Sequence, residues 1–270
     1  MNYISNVLQK NCTNSVCSFI PFITAGYPSI NLTLEALIEL DKQGADAIEL
    51  GIPYSDALAD GPLIQEASKC AIENGVNIQS IFDILQKVNN KIKAPIIIFT
   101  YYNPILVKGL ESFICEIADL GVKGLIIPDL PLEESDYVIY LCKCNKIELI
   151  LFISPTSCYK RILDIIKKSP GCLYLVSSTG VTGIRENLNG NINKSIYEAL
   201  MMTDKMIILG FGISTPDQVD NILKFNSRVN GIVVGSAFTK IFSTYINNSN
   251  INVVRDIGSF CHQMKSATCK

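Results

Sequence analysis

Residues 94–154 read APIIIFTYYNPILVKGLESFICEIADLGVKGLIIPDLPLEESDYVIYLCKCNKIELILFIS. Short apolar runs stand out at 94–102, 124–129 and 147–154. Between them, at 109–120 and 133–144, apolar residues recur at helical spacing. Continuous apolar strands in strict alternation with helices imply a parallel sheet covered by those helices. The stretch therefore predicts consecutive β-α units.

The same pattern extends in both directions. Toward the N-terminus it predicts a short leading helix at 4–10, a strand at 18–26 (SFIPFITAG) and a helix at 30–43 that stops at Gly44. A strand follows at 47–52, then helices at 63–74 and 78–90 broken by Asn74-Gly75. Toward the C-terminus it predicts a helix at 158–168, a strand at 172–178 and a glycine-bearing polar stretch. Next come a helix near 193–202, a strand at 206–212, a helix at 216–225, a strand at 231–235 and helical sequence to the end. About eight β-α units in 270 residues, with no shift in composition, predict an α/β chain. The expected architecture is a (β/α)8 TIM barrel in a single domain, 1–270, with a short N-terminal helix. Lys93, Lys123, Lys146 and Lys205 each precede a strand, which marks the bottom rim. Acids and glycines gather after strand ends, on the top face where barrel active sites lie.

Composition narrows the function. The chain is 48% hydrophobic and 18% charged, with a net charge of −2, so nothing points to nucleic acid or an anionic membrane surface. No apolar run approaches the roughly 20 residues of a membrane helix. The leading MNYISNVLQKNCTNS is polar and lacks both a secretory core and an arginine-rich transit character. The ten cysteines are scattered and read as reduced small hydrophobes of an intracellular chain. The single histidine, His262, reads as an exposed helix residue, and one histidine rules out a multi-histidine metal site. Frequent Asn, Ile and Lys fit an AT-rich genome such as an organelle's. The expected location is a plastid stroma if the chain is organelle-encoded, and otherwise the cytoplasm.

The chemistry centres on residues 47–62, AIELGIPYSDALADGP. Glu49 sits inside an apolar strand, where an ionised carboxylate is costly unless paired or functional. Asp60 lies a loop away. The two suit acid–base work without a cofactor, and no metal is expected. A buried ion pair is the structural alternative for Glu49, and a helix N-cap is the alternative for Asp60. No predicted strand carries a lysine for a Schiff base. Glycine-bearing stretches follow the last strands: Ser178-Thr-Gly-Val-Thr-Gly183, Gly210-Phe-Gly212-Ile-Ser214 and Gly235-Ser236. Each alone reads as a tight turn, and together they predict a phosphate site. The rest of a phosphate ester would lie against Phe22, Phe99, Ile126, Tyr174 and Phe211, residues that also suit plain core.

At these residues the chain resembles the tryptophan synthase α subunit family. The resemblance rests on Glu49-Leu-Gly-Ile-Pro-Tyr-Ser-Asp56 with Leu58-Ala-Asp-Gly-Pro62. It extends to Pro21-Phe-Ile-Thr-Ala-Gly26, Ser177-Ser-Thr-Gly-Val-Thr-Gly183 and Gly210-Phe-Gly-Ile-Ser214. Ser178-Thr179 is similar to cyanobacterial and plant-type members. Ala57 departs from the usual proline, which implies a looser loop. The resemblance implies retro-aldol cleavage of indole-3-glycerol phosphate, with Glu49 handling the C3 and hydroxyl protons and Asp60 accepting the indole N–H. It implies that Tyr174 packs near the indole and orients Glu49. It also implies a phosphate site on Gly183, Gly212, Gly235 and Ser236, and a lid at 179–190. The implied partner is a pyridoxal-phosphate β subunit in an α2β2 heterotetramer that meets residues 53–60, while this chain carries no cofactor. The remaining alternatives are a catalytically silent or regulatory phosphate-binding barrel, or a related barrel enzyme of the same pathway.

Overall fold

A computed structural model of the chain describes residues 2–176, 194–210, 212–225, 228–247 and 252–269. Its strands are β1 Ser18–Thr24, β2 Ile48–Gly51, β3 Ile96–Phe99, β4 Gly124–Ile126, β5 Glu148–Ile153, β6 Cys172–Val176, β7 Met206–Gly210 and β8 Gly231–Val234. Each pairs in parallel with the next, and β8 pairs with β1, so the sheet closes into a barrel. The helices are α1 Tyr3–Thr13, α2 Ile30–Lys42, α3 Pro62–Glu73, α4 Ile78–Val88, α5 Tyr102–Lys108 and α6 Leu110–Asp119. They continue with α7 Ser135–Cys144, α8 Tyr159–Lys168, α9 Lys194–Met201, α10 Pro216–Phe225, α11 Ser236–Asn247 and α12 Val253–Ala267. The (β/α)8 reading holds.

Strand alternation divides the core in two. On β1, Phe19 and Ile23 face the helices while Ile20 and Phe22 face the barrel interior. On β2, Ile48 and Leu50 belong to the outer layer, so Glu49 between them points inward. Ile97 and Phe99, Ile126, Ile150, Tyr174, Ile208 and Val233 continue the interior from β3 to β8. Ile4 and Leu8 of α1 join that interior and close its lower end.

One correction concerns the run at 94–102. The strand covers only Ile96–Phe99, and a separate helix, α5, begins at Tyr102. The Asp129 carboxylate accepts the Tyr102 N–H at 2.8 Å and so starts the helix. Pro104 falls in the first turn, where its missing N–H costs nothing. Sequence periodicity could not show a seven-residue helix whose Leu106 and Val107 are exposed.

A second strand glutamate, Glu148, is also buried. It accepts the Ser5 N–H and the Cys172 N–H, each at 2.9 Å, and the Ser5 hydroxyl as well. This carboxylate stitches α1 to β5 and β6 at the foot of the barrel. Its satisfied state is the reference against which Glu49 stands out.

Candidate active site

Glu49 is 0% exposed, and among the described residues neither of its carboxyl oxygens has a hydrogen-bond partner. Among the described residues no ion pair accounts for Glu49. Burial, with a smaller push from the Asp60 charge, raises the Glu49 carboxyl to about 8.

Asp60 is 6% exposed at the end of the β2–α3 loop. It is not the N-cap of α3: Gly61 holds that position, with Pro62 opening the helix. Its carboxylate instead accepts the Tyr101 hydroxyl at 2.9 Å. The same hydroxyl oxygen accepts the Ala59 N–H at 3.0 Å, so one phenol holds both the acid and its loop. Burial raises Asp60 to about 6, against the lowering effect of the Tyr101 bond. Near neutral pH, Glu49 is thus a neutral acid and Asp60 an ionised one, a division of roles set by environment. Gln65, in the first turn of α3, donates to the Ala57 carbonyl at 3.1 Å and the Asp60 carbonyl at 2.9 Å. Ala57 is itself buried in the interior cluster. The loop is tied down at this position although proline is absent.

Aromatic rings line the upper barrel. Phe22 meets Phe99 edge-on at 5.6 Å, Phe99 meets Phe152 at 6.3 Å, and Phe152 stacks on Tyr174 at 4.6 Å. Phe99 also meets Tyr101 at 6.4 Å, and Tyr101 packs on Tyr54 at 5.2 Å. Such a wall suits a flat, apolar ring system. Burial, then the charges of Glu49 and Asp60, hold the Tyr174 hydroxyl well above its ordinary range, so it stays protonated. A Cβ on Gly210 would overlap that hydroxyl, which explains a glycine at the top of β7.

At the opposite wall, Gly235 abuts Phe22: an added Cβ would lie 3.0 Å from its ring. Ser236 opens α11, whose first N–H groups face the top. Gly212 has φ +82°, a turn that favours glycine. The Ser214 N–H is taken by Gln218 at 2.7 Å. Gly183, Phe211, Ser178-Thr179 and the loop at 179–190 lie outside the described residues. Asp129 caps α5, Asp56 is exposed, and His262 is exposed on α12. Among the described residues, no three His, Cys, Asp or Glu side chains gather as metal ligands.

The structure thus brings together Glu49, Asp60, Phe22, Phe99 and Tyr174, with Gly235 beside Phe22 and Ser236 following it in the chain. Sequence reasoning missed Tyr101 and Phe152. Extending the inward rows Ile97-Phe99 and Ile150 by two residues would have found both. We expect Tyr101→Phe to lower kcat/KM about tenfold, the value of one hydrogen bond. It should also move the acid limb of the pH profile upward from about 6, because Asp60 loses the donor that lowers it. A pH series on the variant checks both effects, and a loss of rate with an unmoved limb would count against this role.

The model of the family described as tryptophan synthase alpha chain matches residues 8–269. The chain belongs to that family. It is 54% identical to the tryptophan synthase alpha chain of Gracilaria tenuistipitata var. liui, over 98% of this chain and 96% of the relative. It is 44% identical to that of a Synechocystis species, over 99% of both. Among solved structures, tryptophan synthase subunit alpha of Legionella pneumophila superposes with a TM-score of 0.87 at 28% identity, covering 99% of this chain and 98% of that one. Alpha chains of this family act as lyases and work with a beta subunit. Among the described residues, no helix is long and apolar enough to cross a membrane.

Proposed function

We propose that Glu49 and Asp60 are the acid–base pair with which this alpha chain cleaves indole-3-glycerol phosphate to indole and glyceraldehyde 3-phosphate. The observation that carries this reading is Glu49 itself: a fully buried carboxyl, without a partner among the described residues, beside an aromatic wall. Its raised value keeps a proton available near neutral pH. That proton goes to indole C3, and positive charge develops on the ring. Ionised Asp60 stabilises this charge by accepting the indole N–H. The C3–C1′ bond then breaks, and its electron pair restores the neutral indole. The C1′ hydroxyl gives its proton to the Glu49 carboxylate, which is thereby returned to its starting form. Tyr174 confines the ring near Glu49, with Phe22, Phe99 and Phe211 as apolar walls. The phosphate lies at the late loops, on backbone N–H groups of Gly183, Gly212, Gly235 and Ser236 and the first turn of α11.

The partner surface is the rim formed by residues 53–60 and α5. Leu58 is 88% exposed and Val107 82% exposed, with Leu106 beside it in sequence. The Tyr54 hydroxyl accepts from the Asn103 amide at 3.3 Å and joins the loop to α5. This apolar rim docks a β subunit, in an α2β2 heterotetramer. Ten free cysteines suit a reducing compartment, a plastid stroma for an organelle-encoded chain and otherwise a cytoplasm.

Indole release from indole-3-glycerol phosphate, measured with the purified chain alone and with a β subunit added, tests the assignment. Release is expected. Its absence in both conditions would overturn the cleavage reading.

A further inference from the structure

Among the described residues, the buried side-chain atoms without a hydrogen-bond partner are the two Glu49 oxygens, Arg228 Nε and Thr24 Oγ1. Arg228 lies just before β8, at the foot of the barrel. Thr24 is the last residue of β1 and is 3% exposed. Ile20 and Phe22 face the barrel interior while Phe19 and Ile23 face the helices, so Thr24 continues the inward row above Phe22. A valine would fill the same volume without a stranded hydroxyl, and an unmade buried hydrogen bond costs free energy.

The place of β1 in the barrel says what the hydroxyl faces. On one side Thr24 pairs with Gly51 of β2, two residues beyond Glu49. On the other side Pro21 pairs with Val234, so the Gly235-Ser236 turn lies alongside the upper part of β1. Under the proposed function, the reacting carbon is at Glu49 and the phosphate is at that turn. Between them runs the three-carbon arm of the substrate. Its C1′ hydroxyl becomes the aldehyde through Glu49, and its C2′ hydroxyl survives the reaction. We infer that Thr24 is a substrate-binding residue whose hydroxyl pairs with the C2′ hydroxyl of the glycerol phosphate arm. A threonine hydroxyl both donates and accepts, as an alcohol partner requires. Pairing would satisfy the stranded Oγ1 only when substrate is bound, and would make the site select polyol phosphates over deoxy analogues.

This inference rests on the proposed cleavage reaction, and the test separates the two. Indole release is compared for indole-3-glycerol phosphate and its 2′-deoxy analogue, with the wild type, Thr24→Val and Thr24→Ser. The wild type should favour the hydroxylated substrate by about tenfold in kcat/KM. Thr24→Val should lose that preference by slowing only on the hydroxylated substrate, and should melt no lower than the wild type. Thr24→Ser should keep the preference. Equal slowing of Thr24→Val on both substrates, or a wild type that does not discriminate, would overturn the inference while leaving the cleavage reading intact. If the wild type releases indole from neither substrate even with a β subunit present, the cleavage reading falls and takes this inference with it.

Discussion

Glu49→Gln is expected to lower kcat for indole release by about 10²–10⁴, the usual worth of a positioned proton-transfer group, or about 3 to 5 kcal/mol of barrier. Glutamine keeps the shape and volume of the side chain but can neither give a proton to indole C3 nor take one from the C1′ hydroxyl. Substrate binding should be little altered, so the loss should appear in kcat rather than KM. Stability should change in the opposite direction. The Glu49 carboxyl sits at about 8 in the folded chain against an ordinary value of 4.5. Between those values the folded state holds a proton that the unfolded state has released. The stabilising contribution is therefore complete below the lower value and is lost as pH rises through the window. The glutamine variant lacks this slope, so its stability advantage over wild type should widen toward pH 8. Melting curves across that range check the sign, and wild-type turnover by the variant would sink the proton-transfer role.

Asp60→Asn should cost about 10² in kcat, because the ring cation loses an ionic acceptor in a water-poor site while a neutral amide oxygen remains. Tyr101 can still donate to that oxygen, so the loop should keep its place. The pH profile provides the sharper measurement. With Asp60 needed ionised and raised to about 6, and Glu49 needed protonated and raised to about 8, wild-type kcat/KM should trace a bell between those values. In Asp60→Asn the acid limb should vanish and the basic limb should remain but move to lower pH, because Glu49 keeps its burial and loses the push of the Asp60 charge. A variant that retains the acid limb would assign that limb to another group.

The barrel was legible in residues 94–154 because burial on both faces of a parallel strand demands a continuous apolar run. That demand is local and is written into consecutive residues. Glu49 was legible for the same reason, as a charge interrupting such a run. The run at 94–102 misled only where Asp129 starts a new helix from 27 positions away. Glu148 interrupts a run in the same way, yet it proved to be a structural anchor. What separates the two carboxylates is whether donors converge on them, and in sequence they look alike.

The sequence by itself determined the alternation of strands and helices and the burial of Glu49 within a strand, since periodicity and residue type fix both locally. Only the tertiary structure decided which groups are satisfied. Folding brings Ser5 to Glu148 across 143 positions and Tyr101 to Asp60 across 41. The same packing leaves Glu49 and Thr24 without partners among the described residues. Hydrogen-bond partnership is a property of three-dimensional neighbours, and those neighbours exist only once strands and helices distant in sequence have packed together.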